Sequence, residues 1–190
     1  MQSRFFALCI ALISSWGPIL PAAASDLDGI VKPCGENQIC AWFKTKATPP
    51  AGWAVDEDWT QRYEAVVMFH NGDTSETAPM MYVRTHVVED GSMSVEDYAH
   101  GAQDSWLAKV QDSTIEPQPD LNRDGKPPLK VFLYRNPSVP EQAFELTAFT
   151  KDRDPSHDNA TYFQQAVLIA PSMGVLEKAR PAFEDLLKRL

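Results

Sequence analysis

The segment Ser94-Val-Glu-Asp-Tyr-Ala-His-Gly-Ala-Gln-Asp-Ser-Trp-Leu-Ala-Lys-Val110 is where the periodicity of the chain changes. Val95, Tyr98, Ala99, Ala102, Trp106 and Val110 recur at three- and four-residue steps, while Glu96, Asp97, Asp104 and Lys109 fall off that stripe. The pattern is that of an amphipathic helix laid on a sheet. Ser94 with Asp97 three residues later is a capping-box-like start, with an aspartate where glutamate is usual.

Strand-like runs flank this helix on both sides. Residues 39–44, 63–70 and 80–88 precede it, rich in β-branched, aromatic and methionine side chains, and 129–135, 142–151 and 161–170 follow. Thr48-Pro-Pro-Ala-Gly52 reads as a turn presenting Trp53, and Asn71-Gly72 is a second turn signal. The closing residues 172–190 carry Val175, Leu176, Ala179, Phe183, Leu186 and Leu187 at helical spacing. Pro181 predicts a kink there or two short helices, because an interior proline lacks the N–H and clashes with the preceding turn. Lys188 and Arg189 suit the negative pole of that helix. Strands grouped before each of two helices, with no βαβ alternation, predict an α+β fold: an antiparallel sheet of about six strands packed with two amphipathic helices.

Upstream, Arg4 precedes an apolar run over residues 5–20, which Pro18 and Pro21 break before Ala22-Ala23-Ala24. Charge, apolar core and small residues in that order predict a signal peptide over residues 1–24, cleaved before Ser25, and a periplasmic or secreted product. The run is too short and too proline-broken for a membrane-spanning helix, so no membrane insertion is expected after cleavage. Residues 25–38 are expected to be a disulfide-containing lead-in, and 39–190 a single α+β domain. Residues 1–24 hold Arg4 and no acid, so the exported product carries 16 basic against 26 acidic residues, a net charge of −10. Such a surface repels phosphate backbones, which argues against nucleic acid and leaves a protein partner with a basic face. Cys9 leaves with the signal, and Cys34 and Cys40 are expected to pair, as thiols do in oxidising compartments.

Taken together, the Pro50-Ala-Gly-Trp53 turn, the strand pair after it, the Ser94–Val110 helix, the later meander and the Glu177-Lys-Ala-Arg-Pro-Ala-Phe183 helix resemble the Mog1/PsbP-like fold, including its bacterial periplasmic DcrB-like members. The resemblance covers residues 39–190. It implies a protein that binds other proteins or acts as an accessory, chaperone-like or assembly factor, and it transfers no site residues.

No catalytic motif accompanies that pattern. His70, His86, His100 and His157 show no H-E-x-x-H spacing, and no serine lies in a G-x-S-x-G context. Asp120, Asn122 and Asp124, followed by Gly125, occupy the first, third, fifth and sixth positions of an EF-hand-like loop, so calcium is one reading of this stretch. Val131 stands where the bidentate acid belongs, however, and the other reading is a plain Asp/Asn/Gly turn into the next strand. Trp53 and Trp59 flank an acidic turn, and each is either a core residue or an exposed binding anchor. The expected function is that of an exported non-enzymatic protein-binding or accessory factor. The alternatives are a toxin-inhibiting immunity protein, a calcium-binding surface component and an unrecognised hydrolase.

Overall fold

The computed structural model describes residues 27–35, 38–88, 91–156 and 160–190, without the side chains of 30–41. The expected signal peptide lies outside these residues. In chain order the elements are β1 (Leu27–Gly35), β2 (Gln38–Thr45), β3 (Trp53–Val55), α1 (Glu57–Tyr63), β4 (Val66–His70) and β5 (Met80–Val88). Then follow α2 (Val95–Leu107), β6 (Thr114–Arg123), β7 (Lys126–Arg135), a 3-10 turn at Pro140–Gln142, β8 (Phe144–Asp154), β9 (Ala160–Ala170) and α3 (Met173–Arg189). The main sheet runs β3-β4-β5-β9-β8-β7-β6 with every neighbour antiparallel, and β1 and β2 form a separate hairpin.

The fold is therefore α+β, as the grouping of strand runs before each helix predicts, but the sheet has seven strands where about six are expected from pattern alone. Strand β6 carries Pro117 and Pro119, which argue against a strand in the sequence. The sheet tolerates them because β6 is an edge, and its register against β7 shifts between Gln118 and Leu121, around Pro119. Strand β3 is only three residues long and gives no periodic signal. It grows out of the expected turn: Trp53 N–H donates to Pro50 O at 3.0 Å, and Gly52 takes φ +80, which suits glycine. Part of the expected lead-in is likewise strand β1.

Two helix expectations change. Residues 57–63, of which the sequence reading assigns only Tyr63, to a strand, form α1. Asp56 caps it by accepting from Trp59 N–H at 3.0 Å, with Glu57 and Asp58 in the first turn and Arg62 in the last. Helix α3 runs as one element through Pro181, where a kink or a break is expected. Leu176 and Ala179 before the proline, and Phe183, Leu186 and Leu187 after it, are all buried, and that packing holds both halves as one helix. The Ser94 cap of α2 is as expected: Ser94 Oγ accepts from Asp97 N–H at 3.0 Å and donates to the Asp97 carboxylate at 2.7 Å.

Side-chain alternation along the strands sends Val66, Met68, Met81, Leu133, Leu146 and Leu168 to the α3 face, which forms the main core. The opposite face is covered only in part. Tyr98 of α2 stacks on Phe163 at 4.4 Å and meets Phe149 edge-on at 6.0 Å. Trp59 of α1 packs on Ala65, Val67 and Phe69 toward the β3–β4 edge of the sheet.

Arg123, with a fully buried side chain, fastens the β6–β7 hairpin to β8. It donates to Pro127 O at 2.9 and 2.7 Å, to Thr150 Oγ1 at 2.7 Å and to Asp152 Oδ2 at 3.1 Å. Removing one partner of a buried ion pair strands the other, so Arg123→Met should lower unfolding stability by about 3 kcal/mol. Chemical denaturation checks this, and Arg123→Met with Asp152→Leu should recover part of the loss.

Candidate functional site

Because α1 and α2 cover separate parts of one sheet face, a groove of about 980 Å³ stays open between them. Its α1 wall carries Trp59 stacked on Tyr63 at 5.1 Å, with Phe69 edge-on to Trp59 at 5.4 Å. The α2 wall presents Tyr98, Ala102 and Trp106. On the floor, the register sets Tyr134 of β7 and Ile169 of β9 on either side of Glu145 of β8. Tyr63 and Met93, two large hydrophobic residues that stay exposed, both stand at this groove.

Glu145 is the unusual residue of the floor: it is 5 % exposed, in a strand whose other side packs under α3. Its Oε1 accepts from Asn136 Nδ2 at 3.1 Å, while Oε2 has no hydrogen-bond partner among the described residues. Asn136, itself fully buried, is held from every side. Its Nδ2 also donates to Gln142 O at 2.8 Å, and its Oδ1 accepts from Ser113 Oγ at 2.7 Å and Trp106 Nε1 at 3.1 Å. Reversing the amide would set donors against the Trp106 N–H and an oxygen against the Gln142 carbonyl, so the network admits one orientation. The carboxyl is thereby fixed in place through one oxygen.

Burial sets the electrostatics. Desolvation pushes the Glu145 carboxyl up to about 7, against the opposing pull of the Asn136 hydrogen bond. Desolvation also raises the phenols of Tyr82 and Tyr134, with the Glu145 charge adding to both, and lifts Tyr98 to about 12. His86 is lowered, first by burial and then by the neighbouring Arg84. Arg84 donates to Tyr63 O at 3.3 Å and lies over the Tyr82 ring at 5.6 Å, which ties β5 to the end of α1.

The residues singled out in the sequence divide. Trp53 is 8 % exposed in the main core, edge-on to His70, and so takes the core reading. Trp59 is half-buried in the groove wall. Asp120 and Asn122 lie along the extended strand β6 and are exposed, and Asp124 follows them into the turn at Gly125, whose φ is +69. An extended strand spreads alternate residues instead of wrapping them, and Asp120 is already paired with Lys130 at 2.9 Å. No group of three or more His, Cys, Asp or Glu able to hold a metal occurs among the described residues. The backbones of Cys34 and Cys40 belong to the β1–β2 hairpin, where Cys40 faces Lys32, but their side chains lie outside the described residues, and the expected pairing with them. No helix among the described residues is long and apolar enough to cross a membrane.

Glu145, Asn136 and Tyr82 have no counterpart in the sequence reading. The available signal was a lone acid inside the apolar run Phe144-Glu-Leu-Thr-Ala-Phe149. No protein-family model matches the chain, and no curated protein matches it.

A folded-state carboxyl raised from 4.5 to about 7 costs stability as pH climbs through that interval, since the unfolded chain ionises freely and the native one does so against burial. Glu145→Gln keeps an acceptor for Asn136 and removes that cost. Its stability margin over the native chain should widen from pH 5 to pH 7.5 by roughly 2–3 kcal/mol and then level off. Urea unfolding across that range is the check, and a margin independent of pH would contradict the raised carboxyl.

Proposed function

We propose that the protein is an exported, non-enzymatic binding protein, accessory or chaperone-like, and that the groove between α1 and α2 receives a segment of a protein partner. One observation carries this reading: a concave, aromatic-walled stretch of sheet left open, with Tyr63 and Met93 exposed beside it. Amphipathic aromatic side chains around a concavity are the usual anchors of recognition. The net charge of −10 after loss of residues 1–24 suits a basic partner face, where it would speed and orient encounter. Export through the residue 1–24 signal, a periplasmic or secreted location, a Cys34–Cys40 disulfide and kinship with the Mog1/PsbP-like fold belong to the same proposal.

A hydrolase is the second reading, and Glu145 alone favours it, because a carboxyl near 7 is suited to general acid or base work. Such a reaction also wants a nucleophile or a second carboxylate at hand. Among the described residues the one hydrogen-bond partner of Glu145 is Asn136, which is neither.

Site-specific photocrosslinking in the exporting cell separates these readings. A photoreactive residue at Tyr63 or Met93 should capture one and the same protein, and one at Lys188 on the opposite, α3 side should not. Capture from Lys188 alone, or turnover of a substrate panel that Glu145→Gln abolishes, would overturn the proposal.

A further inference from the structure

We propose that the groove is a receptor for a cationic side chain, the ammonium of a lysine or the guanidinium of an arginine on the partner segment, seated against the free oxygen of Glu145 beside Tyr82 and Tyr134. The inference rests on the groove reading above and names what that site selects. Its foundation is geometric. Glu145 is 95 % removed from solvent, Asn136 fixes it through one oxygen, and the other oxygen has no partner among the described residues. Ionising an acid so placed is costly unless something completes it, and an N–H cation would complete it. Among the described residues no base is bonded to it: Arg84, the half-buried base of the floor, is turned to Tyr63 O and the Tyr82 ring, and Lys109 is exposed beyond the end of α2.

The surroundings fit the same occupant. Tyrosine rings present the negative faces that attract ammonium and guanidinium groups. Met80 and Ile169 offer apolar surface along which an aliphatic stem can lie while its head reaches the carboxyl. At the rim, Glu76, Asp97 and Glu141 add negative charge to the approach. A carboxylate ligand would instead meet Glu145 head-on, and an apolar one would leave its oxygen unpaired.

Binding must then be linked to protonation. A seated cation holds Glu145 ionised, so a proton leaves as the ligand arrives, and affinity rises as pH climbs through the titration of the free carboxyl. The titratable groups facing Glu145 are Tyr82 from β5 and Tyr134 from β7, both of which stay protonated through the neutral range, while β9 contributes the apolar Ile169. Farther along the groove stand Arg84, His86 and Lys109, together with the three rim acids. His86 is held below its usual value, and it remains in a Glu145→Gln variant, where its own share of any pH dependence can be read.

The test uses acetylated, amidated pentapeptides of leucine and alanine with lysine, arginine, norleucine or glutamate at the centre. They are titrated into the exported form of the chain by calorimetry, with amide NMR shifts locating the contact. The lysine and arginine peptides should bind about tenfold or more tighter than the norleucine peptide. Their affinity should rise by about tenfold from pH 6 to pH 8 with release of a proton, as a single carboxyl titrating near 7 requires. Glu145→Gln, with its fold confirmed by the same NMR spectrum, should lose both the preference and the proton release. Equal binding of the norleucine peptide with shifts in the groove would overturn the cation site and leave the groove as a partner surface. Preference for glutamate, or no groove shift with any peptide, would also overturn it, and crosslinking at Tyr63 then decides the groove reading separately.

Discussion

The structure depends on one constraint, the two-residue alternation of side chains along β8 and β9, the longest pair of strands in the sheet. Leu146, Ala148, Ala166 and Leu168 must face α3, because that helix and these residues make the main core. Their neighbours Glu145, Thr147, Phe149, Val167 and Ile169 are thereby committed to the other face. A slip of one residue in β8 would drive Glu145 under α3 and expose Leu146, so the position of the acid is fixed by the core behind it.

That second face would be a second core if α2 and α1 closed over it, and they do not. Helix α2 is fixed where Tyr98 stacks on Phe163, and Trp106 donates to Asn136 and Ser113. Helix α1 is held by Trp59 on Phe69 and by Arg84 reaching Tyr63 O. Each helix thus has its own anchor, and the space between the anchors is the groove. The network that anchors α2 also orients Glu145, so helix placement and the chemistry of the floor share one buried asparagine. Polar groups gathered this way in an interior are costly unless fully paired, and the second carboxyl oxygen, which has no partner among the described residues, is left to the open groove.

How much of this the sequence reveals follows from where each signal lies. Helix α2, helix α3 and strands β4, β5, β7, β8 and β9 announce themselves through their apolar patterns, because each packs an apolar face in the fold, and β2 through its run of apolar residues. Strand β6 hides behind Pro117 and Pro119, since a proline speaks against a strand until the strand is known to be an edge. Helix α1 is short and acidic at its start, and its cap, Asp56, looks like any loop aspartate. The calcium pattern at Asp120 reads as a loop only while β6 is unseen. The site was less legible than the fold, because Glu145, Tyr82 and Trp59 come from three elements and no spacing in the chain joins them. Trp59 was in view as a possible anchor, but its companion Trp53 went to the opposite core, and no local pattern separates the two.

Glu145 is a largely desolvated acid at the floor of an open groove, and its ionisation can be observed directly. In protein labelled with ¹³C at the glutamate side-chain carboxyls, the Glu145 resonance, assigned by its loss in Glu145→Gln, should titrate with a midpoint near 7. A midpoint in the ordinary glutamate range, near 4.5, would mean that Glu145 is solvated and free, and would contradict the site described.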